Sequence, residues 1–232
     1  MEMPEFHRRV LDAALDVCRR YGMVLAGGYA MRAHGLVDRP SQDLDFATIT
    51  PAPLAEVADA LTSSYRAVGL DVETVRGTYV LGRLMVSDRE SGQSCAVDLM
   101  KLPLQRPPIT IEIWPVADLD DLVGMKVSAA QGRGLPRDLI DIASVADHYS
   151  FIELERLGRL FDEEFRLEGL VARIELGMSL DEAHFRAYGL DEAAIHRVRR
   201  FLLAWYESLS MRLAEAGALA GDDPRPPGSG GP

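Results

Sequence analysis

The stretch Leu25-Ala-Gly-Gly-Tyr-Ala-Met-Arg-Ala-His-Gly-Leu-Val-Asp-Arg-Pro-Ser-Gln-Asp-Leu-Asp-Phe46 decides how this chain is read. Met23 to Ala26 is an apolar run with the length and composition of a short buried strand. Gly27 and Gly28 then permit a tight turn in which backbone N–H groups can approach a ligand closely. Tyr29 to His34 suits a short helix, which would place the glycine pair at a helix N-terminus, where N–H groups attract anions. Asp43-Leu44-Asp45-Phe46 reads as a second strand. Side chains alternate along a strand, so Asp43 and Asp45 share one face while Leu44 and Phe46 enter a core. Two neighbouring carboxylates above an apolar floor are unfavourable unless a cation lies between them. Taken singly, a Gly-Gly is ordinarily a turn, and an Asp-x-Asp is ordinarily a solvated strand or loop. In this order they have a joint meaning, because a phosphate cradle followed by a carboxylate pair is what metal-assisted phosphoryl or nucleotidyl transfer requires.

The rest of the composition narrows the class. With 232 residues, 47% of them hydrophobic and 26% charged, the chain is long enough for one medium or two small globular domains with a real core. No run approaches the length of a membrane span, and the first residues lack the basic-then-apolar order of a signal peptide. Cys18 falls in a helical pattern and Cys95 in a strand pattern, so both read as core residues, and no histidine stands at metal-ligand spacing from them. The expectation is a cytoplasmic protein without disulfides. A net charge of −11 argues against broad, charge-driven binding of nucleic acid but leaves room for a local basic groove.

Periodicity organises the remainder. Phe6 to Tyr21 has apolar residues at helical spacing, and Pro51 or Pro53 can open another helix carrying Leu54, Val57, Ala58 and Leu61 on one face. Strand patterns follow at Leu70–Arg76, Tyr79–Ser87, Ser94–Met100 and Ile109–Trp114, with a turn at Ser87–Gly92. From Asp118 the pattern is helical almost to the end. An α+β core with a helical extension is expected, divided near Ile109–Asp118, and the Gly/Pro/Asp-rich tail 221–232 is expected to be disordered.

Two further groups invite a chemical reading. Asp98 alternates with Val97 and Leu99, so it is either a solvated residue of an edge strand or, beside Asp43 and Asp45, a third acidic ligand or a base. Lys126 falls inside the apolar stripe of its helix, three residues from Val123 and four from Leu122, in a chain whose only other lysine is Lys101. It must either snorkel to water or meet an anion such as a triphosphate. Arg137-Asp138-Leu139-Ile140-Asp141 opens the next helix, where acidic residues are ordinary helix-dipole partners. Asp141 lies off the Leu139/Ile142/Ala143/Ala146 face, and periodicity does not place it in a cleft.

These residues resemble the nucleotidyltransferase superfamily, and more narrowly the AbiEii/MenT-type toxins of type IV-like toxin–antitoxin systems. Three segments between Leu25 and Val145 carry the likeness: Gly27-Gly28 with Arg39-x-Ser41-x-Asp43-Leu44-Asp45-Phe46; Val97-Asp98-Leu99; and Lys126 with Arg137-Asp138-x-x-Asp141. The resemblance implies a mixed-sheet nucleotidyltransferase core over residues 1–116 and a helical region over 117–220 that completes the active site. It implies that Ser41, Asp43, Lys126 and Asp141 are needed for activity, that Asp43 and Asp45 bind Mg²⁺, and that Asp98 is a less constant third ligand. Gly27, Gly28, Ser41 and Lys126 would hold the nucleotide, and Asp98 or Asp141 would be the base or a further ligand. Relatives of this type modify the 3′ end of tRNA, which implies an NTP substrate, a tRNA acceptor and a cognate antitoxin, with Arg32, Arg39, Arg133 and Arg137 as acceptor contacts. Arg197, Arg199 and Arg200 are either further phosphate contacts or a solvated helix face. The rival readings are an antibiotic-type adenylyltransferase acting on a small molecule and a non-catalytic regulatory domain of the same fold, which the intact Asp43/Asp45/Lys126 set disfavours.

Overall fold

A computed structural model describes residues 3–221, the side chains of Arg76 and of residues 217–221 excepted. Of the expected tail 221–232, all but Gly221 lies outside the described residues, and Gly221 is the last residue of the final helix.

The chain opens with helix α1 (Glu5–Tyr21), closed by Gly22 in the left-handed conformation, and drops directly into strand β1 (Met23–Ala26), all four residues of which are buried. Helix α2 (Gly27–Ala33), strand β2 (Asp43–Thr48) and helix α3 (Leu54–Ala67), preceded by Pro53, come next. An antiparallel run follows: β3 (Asp71–Gly77), β4 (Leu81–Ser87) and β5 (Ser94–Lys101). The expected strand Ile109–Trp114 is instead a hairpin, β6 (Ile109–Ile111) and β7 (Trp114–Val116). Glu112 turns it with a φ of 57°, a left-handed conformation that a glutamate rarely supplies and that no Gly or Asn announced.

The seven strands form one mixed sheet in the order β3-β4-β5-β2-β1-β7-β6. β2 runs parallel to β5 and antiparallel to β1, which pairs in parallel with β7. Alternation divides the faces as the sequence requires. Leu44 and Phe46, Val97 and Leu99, and Leu84 and Val86 are buried in one core, while Asp43, Asp45, Asp98 and Arg83 stand on the other side. Helices α1 and α3 pack together against the apolar face.

After Val116 every element is helical: α4 (Leu119–Gly132), α5 (Pro136–Ala143), α6 (Phe151–Arg159), α7 (Leu167–Met178), α8 (Glu182–Arg186) and α9 (Glu192–Gly221). Asp118 caps α4 by accepting the Asp120 N–H, and Pro136 occupies the first turn of α5, where its missing donor costs nothing. Helix α4 packs on α2, α5, α6 and α7, and so hangs the helical region over the acidic side of the sheet. No helix among the described residues is long and apolar enough to cross a membrane. Cys18 and Cys95 are buried free thiols.

Candidate active site

Strand register assembles the acidic centre. Arg83 on β4 lies opposite Asp98 on β5, and Asp98 lies opposite Asp45 on β2, so three charged side chains form one row across three strands. Asp43 stands two residues before Asp45 on the same face. One oxygen from each of Asp43, Asp45 and Asp98 lies within 4.8 Å of the others. Three hard oxygen donors converging from a rigid sheet suit a small divalent cation such as Mg²⁺ or Mn²⁺. Burial first, and then the neighbouring Asp43 carboxylate, push the Asp45 pKa up to about 6.

The glycine pair fits this centre closely. Gly27 has a φ of +60°, and a Cβ there would fall 1.8 Å from Asp45 Oδ2. At Gly28 a Cβ would meet Ser41 Oγ at 2.6 Å. The turn therefore has to be glycine for the carboxylate and the serine to fit, besides any ligand it admits. The Ser41 segment is held from below. The Tyr29 hydroxyl donates to the Ser41 carbonyl at 3.0 Å, and His7 Nδ1 lies 2.5 Å from that hydroxyl.

The helical region supplies the other wall. Lys126 does not snorkel: its side chain is 9% exposed, and Nζ lies 2.8 Å from Asp141 Oδ2 and 3.6 Å from Asp138 Oδ1. Asp141 is fully buried and grips Arg39 with both oxygens, Nε to Oδ1 at 2.6 Å and Nη2 to Oδ2 at 2.5 Å. Burial alone would raise the Asp141 pKa, but Lys126 and Arg39 outweigh it and hold it below the usual carboxylate range. Asp138, also fully buried, accepts two hydrogen bonds from Arg133, so it does far more than complement a helix dipole. This network ties the loop before β2 to α4 and α5 across 102 residues of sequence.

Sequence reasoning missed Arg83. Its guanidinium grips both oxygens of Asp98, with Nε donating to Oδ1 at 2.6 Å, and its Nη2 lies 3.7 Å from Asp43. On the other side Arg137 Nη1 lies 3.6 Å from Asp43. The resident arginines offset the repulsion that an isolated carboxylate pair would suffer. The signal for Arg83 was available, since it shares a strand face with Met85 opposite the buried Leu84 and Val86, but its partner strand had to be known.

Most of these groups line one cleft of about 1010 Å³ between the sheet and the helices. It holds Gly27, Gly28, Ser41, Asp43, Asp45, Asp98 and Lys126, together with Arg39, Arg133 and Arg137. Tyr188, also unforeseen, lines the cleft with its ring 5.8 Å from the Arg39 guanidinium. Asp141 lies behind the cleft wall and outside the acidic cluster. Arg32, on α2, does not line the cleft. Arg197 and Arg200 lie on a separate shallow groove beside Tyr149 and Phe151, and Arg199 donates to the Leu180 carbonyl.

A mixed sheet bearing a carboxylate cluster beside a Gly-Gly turn, faced by a helical lysine, defines the class as nucleotidyltransferase. Residues 9–216 match the family described as "Nucleotidyl transferase AbiEii toxin, Type IV TA system", and the chain belongs to that family. The fold is shared with solved structures at 20% identity. Over 94% of this chain and 100% of the other it resembles JHP933 from Helicobacter pylori with a TM-score of 0.56. A proposed nucleotidyltransferase of H. pylori gives 0.55 over 88% of this chain and 95% of the other. MenT4, the nucleotidyltransferase toxin Rv2826c of Mycobacterium tuberculosis H37Rv, gives 0.50 over 85% of this chain and 91% of the other. No curated protein matches the chain.

Proposed function

We infer that this nucleotidyltransferase moves an NMP from an NTP to an acceptor hydroxyl, that the acceptor is the 3′ end of tRNA, and that the chain is the toxin of a pair with a cognate antitoxin. The observation that supports this reading most is the meeting, in one cleft, of Asp43, Asp45 and Asp98 from the sheet with Lys126 and Arg137 from the helices. The core of residues 1–116 and the helical region of 117–220 each bring one half of the site.

Asp43 and Asp45 would hold Mg²⁺. When bound, the ion supplies neutralisation and alignment of the α-phosphate for in-line attack. The Ser41 hydroxyl and the Gly27/Gly28 backbone border the phosphate position, and Lys126 gives charge to the departing pyrophosphate. Asp141, fully buried behind the cleft wall, orients Lys126 and Arg39 and takes no proton. Asp98 faces the cleft and is the carboxylate placed to accept the proton of the acceptor hydroxyl. Arg133 and Arg137, though paired with Asp138 and Asp43, are partly exposed on the cleft and would meet acceptor phosphates, whereas Arg39 is buried against Asp141.

Expression in a bacterial host tests the biology. The wild type should slow growth and leave tRNA lengthened at its 3′ end, and Asp43→Asn should do neither. The acidic balance of the chain suits a small acceptor no less well. Harmless expression, with transfer to a hydroxylated antibiotic in place of tRNA, would establish that second reading.

A further inference from the structure

Arg83 is the residue whose placement the reaction leaves unexplained. It stands in direct register with Asp98, and Asp98 in direct register with Asp45, so the row across the sheet reads cation, anion, anion. Its fork takes both oxygens of Asp98, and its Nη2 comes within 3.7 Å of Asp43. The guanidinium thus lies against both Asp98 and Asp43, on one flank of the carboxylate cluster. A guanidinium stays protonated across the working pH range, so this positive charge is permanent. The Arg83 side chain is 41% exposed and that of Asp98 20%, so the pair is a lip of the cleft and not a core element. Arg39, at 5% exposure and locked to Asp141, shows by contrast what a purely structural arginine looks like in this chain.

We propose that Arg83 takes the place of a second metal ion: it engages Asp98, keeps that carboxylate out of metal coordination, and makes the site a one-ion centre built on Asp43 and Asp45. This rests on the metal-dependent reading of the cleft. It also gives Asp98 a consistent part. A carboxylate offers about four lone-pair positions, and the arginine fork uses two, which leaves Asp98, on the cleft lining, with capacity to accept from a hydroxyl. Arg83 is a positioning residue under this account, and its removal changes metal stoichiometry before it changes anything else.

Titration with Mn²⁺ alone, with free ion counted by electron paramagnetic resonance, tests the proposal on four proteins: wild type, Arg83→Met, Asp98→Asn and the double variant. Methionine keeps the length of the stem without the charge, at a half-exposed position that folding tolerates, and circular dichroism checks each fold. The wild type should bind one Mn²⁺ per chain, Arg83→Met two, and the double variant one. Asp98→Asn should bind Mn²⁺ within twofold of the wild type while losing nucleotide transfer. Arg83→Met binding one ion with unchanged affinity would overturn the proposal, as would a tenfold or greater loss of affinity in Asp98→Asn. A wild type that binds no Mn²⁺ would overturn the metal reading itself, a result distinct from both.

Discussion

Asp141→Asn isolates the network that joins the two halves of the site. Asparagine preserves shape and one acceptor oxygen but turns the other oxygen into an NH₂ group facing two cations. Three short contacts end there: two from Arg39, at 2.6 and 2.5 Å, and one from Lys126 at 2.8 Å. Removing one partner of a buried ion pair costs about 3–5 kcal/mol. Asp138 stands 3.6 Å from Lys126 and retains part of its countercharge, which favours the lower end, about 3 kcal/mol. At roughly 2–4 °C per kcal/mol for a chain of this size, the melting temperature should fall by about 6–12 °C. Urea unfolding followed by circular dichroism measures the loss, and Asp141→Asn/Lys126→Met should recover about 1 kcal/mol or more by deleting one stranded charge. The pH dependence carries a sign. Because the folded-state pKa of Asp141 is depressed, its contribution is complete above the ordinary carboxylate range and is lost as pH falls through the folded value. The variant should therefore show a flatter acid limb. Stability within about 0.5 kcal/mol of wild type, with an unchanged acid limb, would refute the reasoning.

Substitutions at three other positions probe the cleft. Asp43→Asn should abolish Mg²⁺-dependent transfer while stability stays within about 1 kcal/mol, since its contacts to Arg83 and Arg137 at 3.7 and 3.6 Å are long and partly exposed; retained activity would remove Asp43 from the metal site. Gly27→Ala should lower both stability and Mn²⁺ affinity, because its Cβ would displace the Asp45 carboxylate and its φ is left-handed; unchanged Mn²⁺ binding would show that the turn relaxes. Lys126→Ala and Lys126→Arg should both lose transfer, the second because a planar fork does not replace a compact ammonium, and normal transfer by either would leave Lys126 a structural residue.

The sequence was legible where chemistry and periodicity agree. Alternation alone put Asp43 and Asp45 on one face and Leu44 and Phe46 on the other, and helical spacing put Lys126 inside its stripe. Asp141 was legible only through family resemblance. Its burial depends on Arg39, 102 residues away, and no local pattern encodes that pairing. Arg83 escaped for the same reason, since its meaning lies in the register of β4 with β5. The β6–β7 hairpin was hidden because Glu112 makes the turn where a glycine would have announced it. Arg39 illustrates the limit of reading charge as binding surface: an arginine beside a presumed phosphate site proves to be buried and fully committed.

The most direct test of the account is transfer of label from each α-³²P-labelled NTP to purified tRNA, with and without Mg²⁺, by wild type and by Asp43→Asn. The account predicts label at the tRNA 3′ end with at least one nucleotide, only when Mg²⁺ is present and only with the wild type. Labelling by Asp43→Asn, or undiminished labelling after removal of divalent ions with a chelator, would contradict it.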